Sequence, residues 1–258
     1  MPPRLSIVTA VRNGERFLPD CLHSVAAQKA ALEHIIVDGA SDDKTPALIG
    51  QYAQKQNARE DRTVTTMSEP DRGLYDAMNK GIALASGDII GTLNADDFFA
   101  SDDILDDVAA IFREPDVDAC YGDLVVVDTD HSNRITRRWH PGAYSGRRFY
   151  HGWMPPHPTF FVRTDAYRRY GRFRLDLGSA ADYELMLRFL VKHGLRARYL
   201  PRTIVTMRAG GISNASLANR LQANRMDRRA WKVNGLSPLP WTVLIKPLRK
   251  ITQFRLLP

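Results

Sequence analysis

Through its first hundred residues the chain repeats one pattern: a short apolar or β-branched run, a polar turn, then residues spaced along one face of a helix. The runs are LSIVTAV at 5–11, HIIV at 34–37, RTVTTMS at 62–68 and DIIGTL at 88–93. After the first, Asn13 and Gly14 turn the chain into a helical pattern carrying Phe17, Leu18, Cys21, Leu22 and Val25. After the second, a Gly-Ala-Ser-Asp-Asp turn leads through Asp43, Lys44, Thr45 and Pro46 into another helix, because proline suits the first helical turn. After the third, residues 74–86 place Leu74, Met78, Ile82 and Ala85 on one face. Alternation of this kind predicts an α/β fold, a Rossmann-like and mostly parallel central sheet with helices on both faces.

In such sheets ligands bind outside the carboxyl ends of the strands. The loops at 12–14, 38–43, 68–73 and 94–97 are all polar, and three of them carry carboxylates. The last is the most pointed: in GDIIGTLNADDFF (87–99) a buried-looking strand ends on Asn94, Asp96 and Asp97. Crowded carboxylates repel and lose solvation, so such a cluster serves a cation or caps a helix. The capping alternative would use Asp97, Ser101 or Asp102 on a helix over 103–112. The cation alternative suits Mg²⁺ or Mn²⁺, which take one or two protein carboxylates and complete their shell with phosphate and water. The chain has no G-x-x-x-x-G-K-[ST], G-x-G-x-x-G, G-x-S-x-G or H-E-x-x-H motif, and two Phe occupy NADDFFASDD where a calcium hand needs a ligand and a glycine.

From about residue 118 the pattern turns more β: DACYGDLVVVD and RITRRW read as a hairpin, HPTFFVR and RARYLPRTIVTMR as further strands. Between the last two, SAADYELMLRFLVKHG reads as a helix with Leu185, Phe189 and Leu190 inward and Gly194 as its stop. Beyond Met207 the chain is basic and helical in pattern, and Trp241, Leu244, Leu248 and Ile251 fall near one face. That face suits an interfacial helix on anionic lipid, or equally a helix packed on the domain. The expected division is 1–207 as the main α/β domain and 208–258 as a basic helical extension.

Charge divides the same way. Residues 1–130 hold 11 Lys and Arg against 24 Asp and Glu, a net of −13, while residues 131–258 hold 25 against 5, a net of +20. The basic half can attract anionic lipid, nucleic acid or a phosphorylated substrate, whereas the acidic half argues against simple coating of DNA. Two distant cysteines, Cys21 and Cys120, encode neither a disulfide framework nor a zinc cluster, so a reducing, cytoplasmic setting is expected. No signal-like apolar core and no run of roughly 20 apolar residues occurs, so the chain is expected to be neither exported nor integral to a membrane.

VTAVRNG, VDGASDDKT, SEPDRGLYDAMNKGIALASGDII and LNADDFF, in this order and spacing, resemble the inverting family 2 glycosyltransferases with the A-type nucleotide-sugar-binding fold, over roughly residues 4–207. The resemblance implies a metal-binding acidic loop with Asp96 as principal ligand and Asp97 beside it. Asn94 stands where the family often has an aspartate, and is expected to bond the donor ribose or reach the cation through water. It further implies that Thr9 and Asp38 contact the nucleotide base and that Arg72 and Gly73 lie beside the donor. Asp182 is implied as catalytic base: SAADYELML resembles the family's acidic pair at a helix start, with Ala181 in place of the first member. His157 in PPHPTFFVR matches a position beside the acceptor, and Gly210-Gly211 a segment that folds over the donor. Inversion needs one base to take the acceptor's proton while the nucleoside diphosphate leaves from the opposite face.

The expected protein is therefore a Mn²⁺- or Mg²⁺-dependent inverting hexosyltransferase using a nucleotide-sugar donor, most simply a UDP-sugar. Its relatives build surface polysaccharide on undecaprenyl-diphosphate carriers at the inner membrane face, which implies a lipid-linked glycan acceptor, peripheral association through the basic C-terminal region, and no nucleic-acid partner. Two rivals are a nucleotidyltransferase, which would need a Gly-rich basic loop that VTAVRNGERF lacks, and a nonenzymatic module binding nucleic acid or another anionic surface.

Overall fold

The computed structural model describes residues 3–210, 217–249 and 251–254. Strand β1 (Leu5–Val11) is buried at every position, its two polar residues Ser6 and Thr9 partnered by Glu33 and His34, as suits a strand flanked on both sides by parallel neighbours, β2 (Leu32–Asp38) and β4 (Ile89–Thr92). β3 (Arg62–Ser68) pairs in parallel with β2 at the sheet's edge, and its burial alternates accordingly. Helices α1 (Leu18–Ala26), α2 (Thr45–Asn57) and α3 (Leu74–Leu84) connect these strands. α3 packs Met78 and Ile82 on Val8, Ala10, Ile35 and Val37, while Cys21, Val25 and Ile49 of α1 and α2 cover the opposite face. A Cβ at Gly81 would meet Val8 Cγ1 at 2.4 Å, so this glycine lets α3 lie directly on β1. Leu74, expected on the inward face, is instead exposed, because it opens the helix at the margin of the sheet.

The second half continues the sheet in mixed sense. β8 (Phe161–Arg163) runs antiparallel to β4 and joins it to β6 (Ala119–Val127), which pairs in parallel with β9 (Ala197–Arg208); β5 (Phe98–Phe99) closes that end. β7 (Ile135–Trp139) forms the expected hairpin with β6. α4 (Ile104–Ile111), α5 (Thr164–Tyr170) and α6 (Ala181–Leu187) complete this part, and α6 runs on through a wider turn at Arg188–Lys192 that buries Phe189 and Leu190 before Gly194 stops it at φ 67°. No side chain caps α4, so helix capping does not explain the acidic cluster after β4.

The described helices after residue 216 pack onto this core. In α7 (Leu217–Val233) Trp231 is fully buried and its indole N–H donates to the Tyr183 hydroxyl at 2.8 Å; just past the helix, Asn234 donates to Glu184 at 3.1 Å. α8 (Thr242–Leu248) pairs Lys246 with Asp227 at 2.8 Å and donates from Thr242 to the Tyr150 carbonyl at 2.6 Å. Trp241, Leu244 and Leu248 nevertheless remain exposed, as does Phe254 in the short α9 (Ile251–Phe254). Among the described residues no helix is long and apolar enough to cross a membrane.

Candidate active site

The carboxyl ends of β2, β1 and β4 lie side by side on one edge of the sheet, with the loops that follow them laced together. Asp38, the last residue of β2, is level with Val11 of β1 and Ser68 of β3. Its carboxylate is 2% exposed and accepts hydrogen bonds from the Ser41 and Ser68 hydroxyls at 2.5 and 2.6 Å. Two non-glycine residues here adopt left-handed backbone conformations, Asn13 at φ 52° and Ala40 at φ 56°. Strain of that kind persists only where surroundings enforce it. The enforcing bonds are Asn13 N–H to the Ser41 hydroxyl (2.8 Å), Asp42 N–H to the Asn13 side-chain oxygen (3.1 Å) and Gly14 N–H to the Thr45 hydroxyl (2.8 Å). A Cβ at Gly39 would lie 2.3 Å from Asp71, so the β2 and β3 loops approach as closely as glycine permits.

Thr9 does not join them. Its side chain points into the layer under α1 and α2, where the hydroxyl lies 3.0 Å from His34 Nε2 and 3.9 Å from Cys21 Sγ. Adjacent residues of a strand face opposite ways, so Ala10 takes the α3 side instead. Arg72 is 79% exposed and donates to Asp76 at 3.1 Å. Gly73 sets the start of α3 at φ 109°, its N–H held by Asp71 at 2.7 Å.

After β4 the acidic pair splits. Asp96 is exposed, whereas Asp97 is turned inward, 1% exposed, with one oxygen accepting from Asn94 Nδ2 at 2.9 Å and the other unpartnered. Burial, and then the neighbouring Asp96 charge, push the Asp97 carboxyl well above the usual carboxylate range. Asp97 therefore stands behind the loop and not at its surface, where a second metal ligand was expected. The loop is clamped by Arg208 at the end of β9: its guanidinium donates to the Asp96 carbonyl at 2.8 Å, ion-pairs with Asp20, and lies over the rings of Phe17 and Phe98 at 4.8 and 5.0 Å. Sequence reading missed Arg208, since one arginine among 25 basic residues in that half carries no distinguishing mark.

Asp182, at the start of α6, lines a cavity with His157, Tyr75 and Thr92, and Thr92 is the last residue of β4. His157 Nδ1 stands 3.2 Å from Asp182 Oδ2, and the Tyr183 N–H donates to Oδ1 at 2.7 Å. Tyr75, unremarked in the sequence, lines the same cavity; burial first, then the Asp182 charge, raise its phenol well above its ordinary range. Asp38 and Asp96 thus follow the ends of β2 and β4, about 10 Å apart across β1 at the usual strand spacing, and Asp182 meets that edge at Thr92, in a cavity whose lining includes neither of them. Among the described residues no cluster of three or more His, Cys, Asp or Glu forms a metal cage. The single exposed carboxylate of Asp96 nevertheless fits a hard divalent cation whose remaining ligands are diphosphate oxygens and water.

A family model described as glycosyl transferase family 2 matches residues 6–171. The chain belongs to that family. This glycosyltransferase is 31% identical over 215 residues to a PGL/p-HBAD biosynthesis glycosyltransferase of Mycobacterium tuberculosis, an alignment covering 82% of this chain and 80% of the relative. Its fold is similar to that of S. aureus TarS 1-349 solved with UDP-GlcNAc (TM-score 0.68, 19% identity, covering 90% of this chain and 66% of that one). It is likewise similar to the mannosyltransferase PcManGT from Pyrobaculum calidifontis solved with GDP-Man and Mn²⁺ (TM-score 0.67, 19% identity, covering 99% and 71%). The family match ends before the glycosyltransferase reaches Asp182 or Arg208, whose placement comes from the geometry above. Of the segment expected to fold over the donor, Gly210 stands at φ 117° and Gly211 lies outside the described residues.

Proposed function

We propose that this glycosyltransferase is metal-dependent and inverting, and that it moves a sugar from a UDP-sugar to a hydroxyl of a lipid-linked glycan, such as one on undecaprenyl diphosphate, in surface polysaccharide synthesis. The observation that supports this reading is the alignment of three carboxylates, Asp38, Asp96 and the Asp182 pocket, along the carboxyl edge of one sheet. Asp38, held by the Ser41 N–H and hydroxyl and by the Ser68 hydroxyl, accepts a ring N–H of the nucleotide base. Asn94, Arg72 and the backbone at Gly73 flank the donor. Asp96 holds Mn²⁺ or Mg²⁺, which when bound neutralises charge on the departing diphosphate. Asp97 supports that loop from behind, its inward carboxyl bonded to Asn94.

The cavity centred on Asp182, beside the end of β4, supplies the base function, and no covalent nucleophile is needed. The exposed Trp241, Leu244 and Leu248 face of α8 and the +20 half of the chain suit an anionic membrane carrying the acceptor, each basic residue near such a surface contributing about 1 kcal/mol. Thermal-shift titration with UDP-glucose, UDP-GlcNAc and GDP-mannose, with and without Mn²⁺, tests the reading. Metal-dependent stabilisation by a nucleotide sugar, abolished in Asp96→Ala, is expected. Stabilisation by the free sugars or by RNA, indifferent to metal and to Asp96, would overturn it.

A further inference from the structure

The Asp182 carboxylate has close neighbours on three sides. The Tyr183 N–H donates to Oδ1 at 2.7 Å, Tyr75 lines the same cavity, and His157 Nδ1 lies 3.2 Å from Oδ2. Its side chain is 14% exposed, whereas that of His157 is 33% exposed, and His157 Nε2 has no protein partner among the described residues. Of these two groups lining the cavity, the imidazole is therefore the more accessible. The imidazole is also stiffly mounted. His157 opens a short 3₁₀ turn (His157–Thr159) within MPPHPT, where three prolines restrict φ, and Thr159 is buried and bonded to Gly122 and to the Pro156 carbonyl.

Resting on the reading of Asp182 as the centre of the base function, we propose that His157 Nε2 is the atom that takes the acceptor's proton. Asp182 is then a positioning residue, keeping the other ring proton on Nδ1 so that Nε2 presents a lone pair, and facing the imidazolium once it forms. The acceptor O–H bond breaks with its proton passing to Nε2, and the oxygen lone pair forms the new bond to the anomeric carbon. The bond from that carbon to the diphosphate oxygen breaks, its electron pair leaving with the nucleoside diphosphate on the opposite face. The imidazolium returns its proton to water, so each transfer releases one nucleoside diphosphate and one proton.

The test uses the full chain with Mn²⁺, the nucleotide sugar giving the largest thermal shift, and p-nitrophenyl glycosides as acceptor probes, with nucleoside diphosphate release as the readout. His157→Ala is expected to lower kcat by about 10²- to 10⁴-fold with donor-induced thermal shift retained, the range for loss of a general base. Added imidazole should restore at least about tenfold of that activity, a rescue that a merely structural role would not permit. Asp182→Asn should also lose kcat but gain nothing from imidazole, and the double variant should be no worse than His157→Ala alone, as expected of groups that act as a unit. Near-normal turnover in His157→Ala while Asp182→Asn is inactive would overturn the proposal and return the proton to Asp182. Full turnover in both Asp182→Asn and Asp96→Asn would instead overturn the reading on which it rests.

Discussion

The most quantitative consequence of this structure concerns His34, which bridges β2, β1 and α2 from within the layer behind the site. Its side chain is fully buried, with Nε2 3.0 Å from the Thr9 hydroxyl and Nδ1 2.8 Å from the Tyr52 hydroxyl, and burial pushes its imidazole down from 6.5 to about 3. The folded protein therefore holds His34 neutral, while the unfolded chain protonates it near its ordinary value. Because the folded value is the lower one, the unfolded state binds more protons between the two. The stability is fully present above about pH 6.5 and is lost as pH falls from there toward about 3, by up to about 1.4 kcal/mol per pH unit. Integrated to about pH 4.5, the loss from this one group is about 3 kcal/mol. Urea unfolding of the wild type and of His34→Gln at several pH values between about 7.5 and 4.5 isolates it, since carboxylate contributions are common to both. The two stabilities should converge by about 3 kcal/mol across that range. Parallel pH dependences, whatever the offset between them, would refute the reasoning.

Trp231→Ala should cost about 3 to 5 kcal/mol in chemical denaturation, the range for deleting a fully buried aromatic side chain; a loss below about 1 would mean that α7 is not part of the core. Arg208→Met keeps an apolar stem over Phe17 and Phe98 but removes the bond to the Asp96 carbonyl. It should weaken Mn²⁺ binding measured by calorimetry about tenfold, equivalent to about 1.4 kcal/mol, and unchanged affinity would remove Arg208 from the metal loop's support. Replacing exposed Trp241, Leu244 and Leu248 with serine should abolish flotation with phosphatidylglycerol vesicles while leaving the melting temperature within a few degrees. Flotation that survives the triple substitution would exclude α8 as the lipid contact.

The paired His157 and Asp182 illustrate how much of the site was legible beforehand. Each residue stood out through the resemblance of its segment to family 2 glycosyltransferases, yet their 3.2 Å contact joins a 3₁₀ turn to a helix 25 positions later in the chain, and Tyr75 reaches the same cavity from α3. Nothing local in the sequence encodes that meeting. Thr9 shows the complementary failure. β1 is buried on both faces, so its sequence lacks the polar-apolar alternation that would reveal which residues look toward the ligand edge, and a shift of one residue exchanges Thr9 for Ala10. Asp96 and Asp97 are likewise equivalent as letters; the loop's path past Arg208 exposes one and buries the other.

Local rules, acting over a few residues at a time, were enough to establish the strand and helix alternation, the mixed α/β class and the edge on which polar loops gather, because backbone periodicity and turn chemistry are written in neighbouring residues. Which side chains turn toward that edge, which carboxylate stays in water, and that α7 shares a core with α6 were decided only by the folded chain. Those outcomes depend on contacts between distant segments, whose energies no stretch of sequence contains by itself.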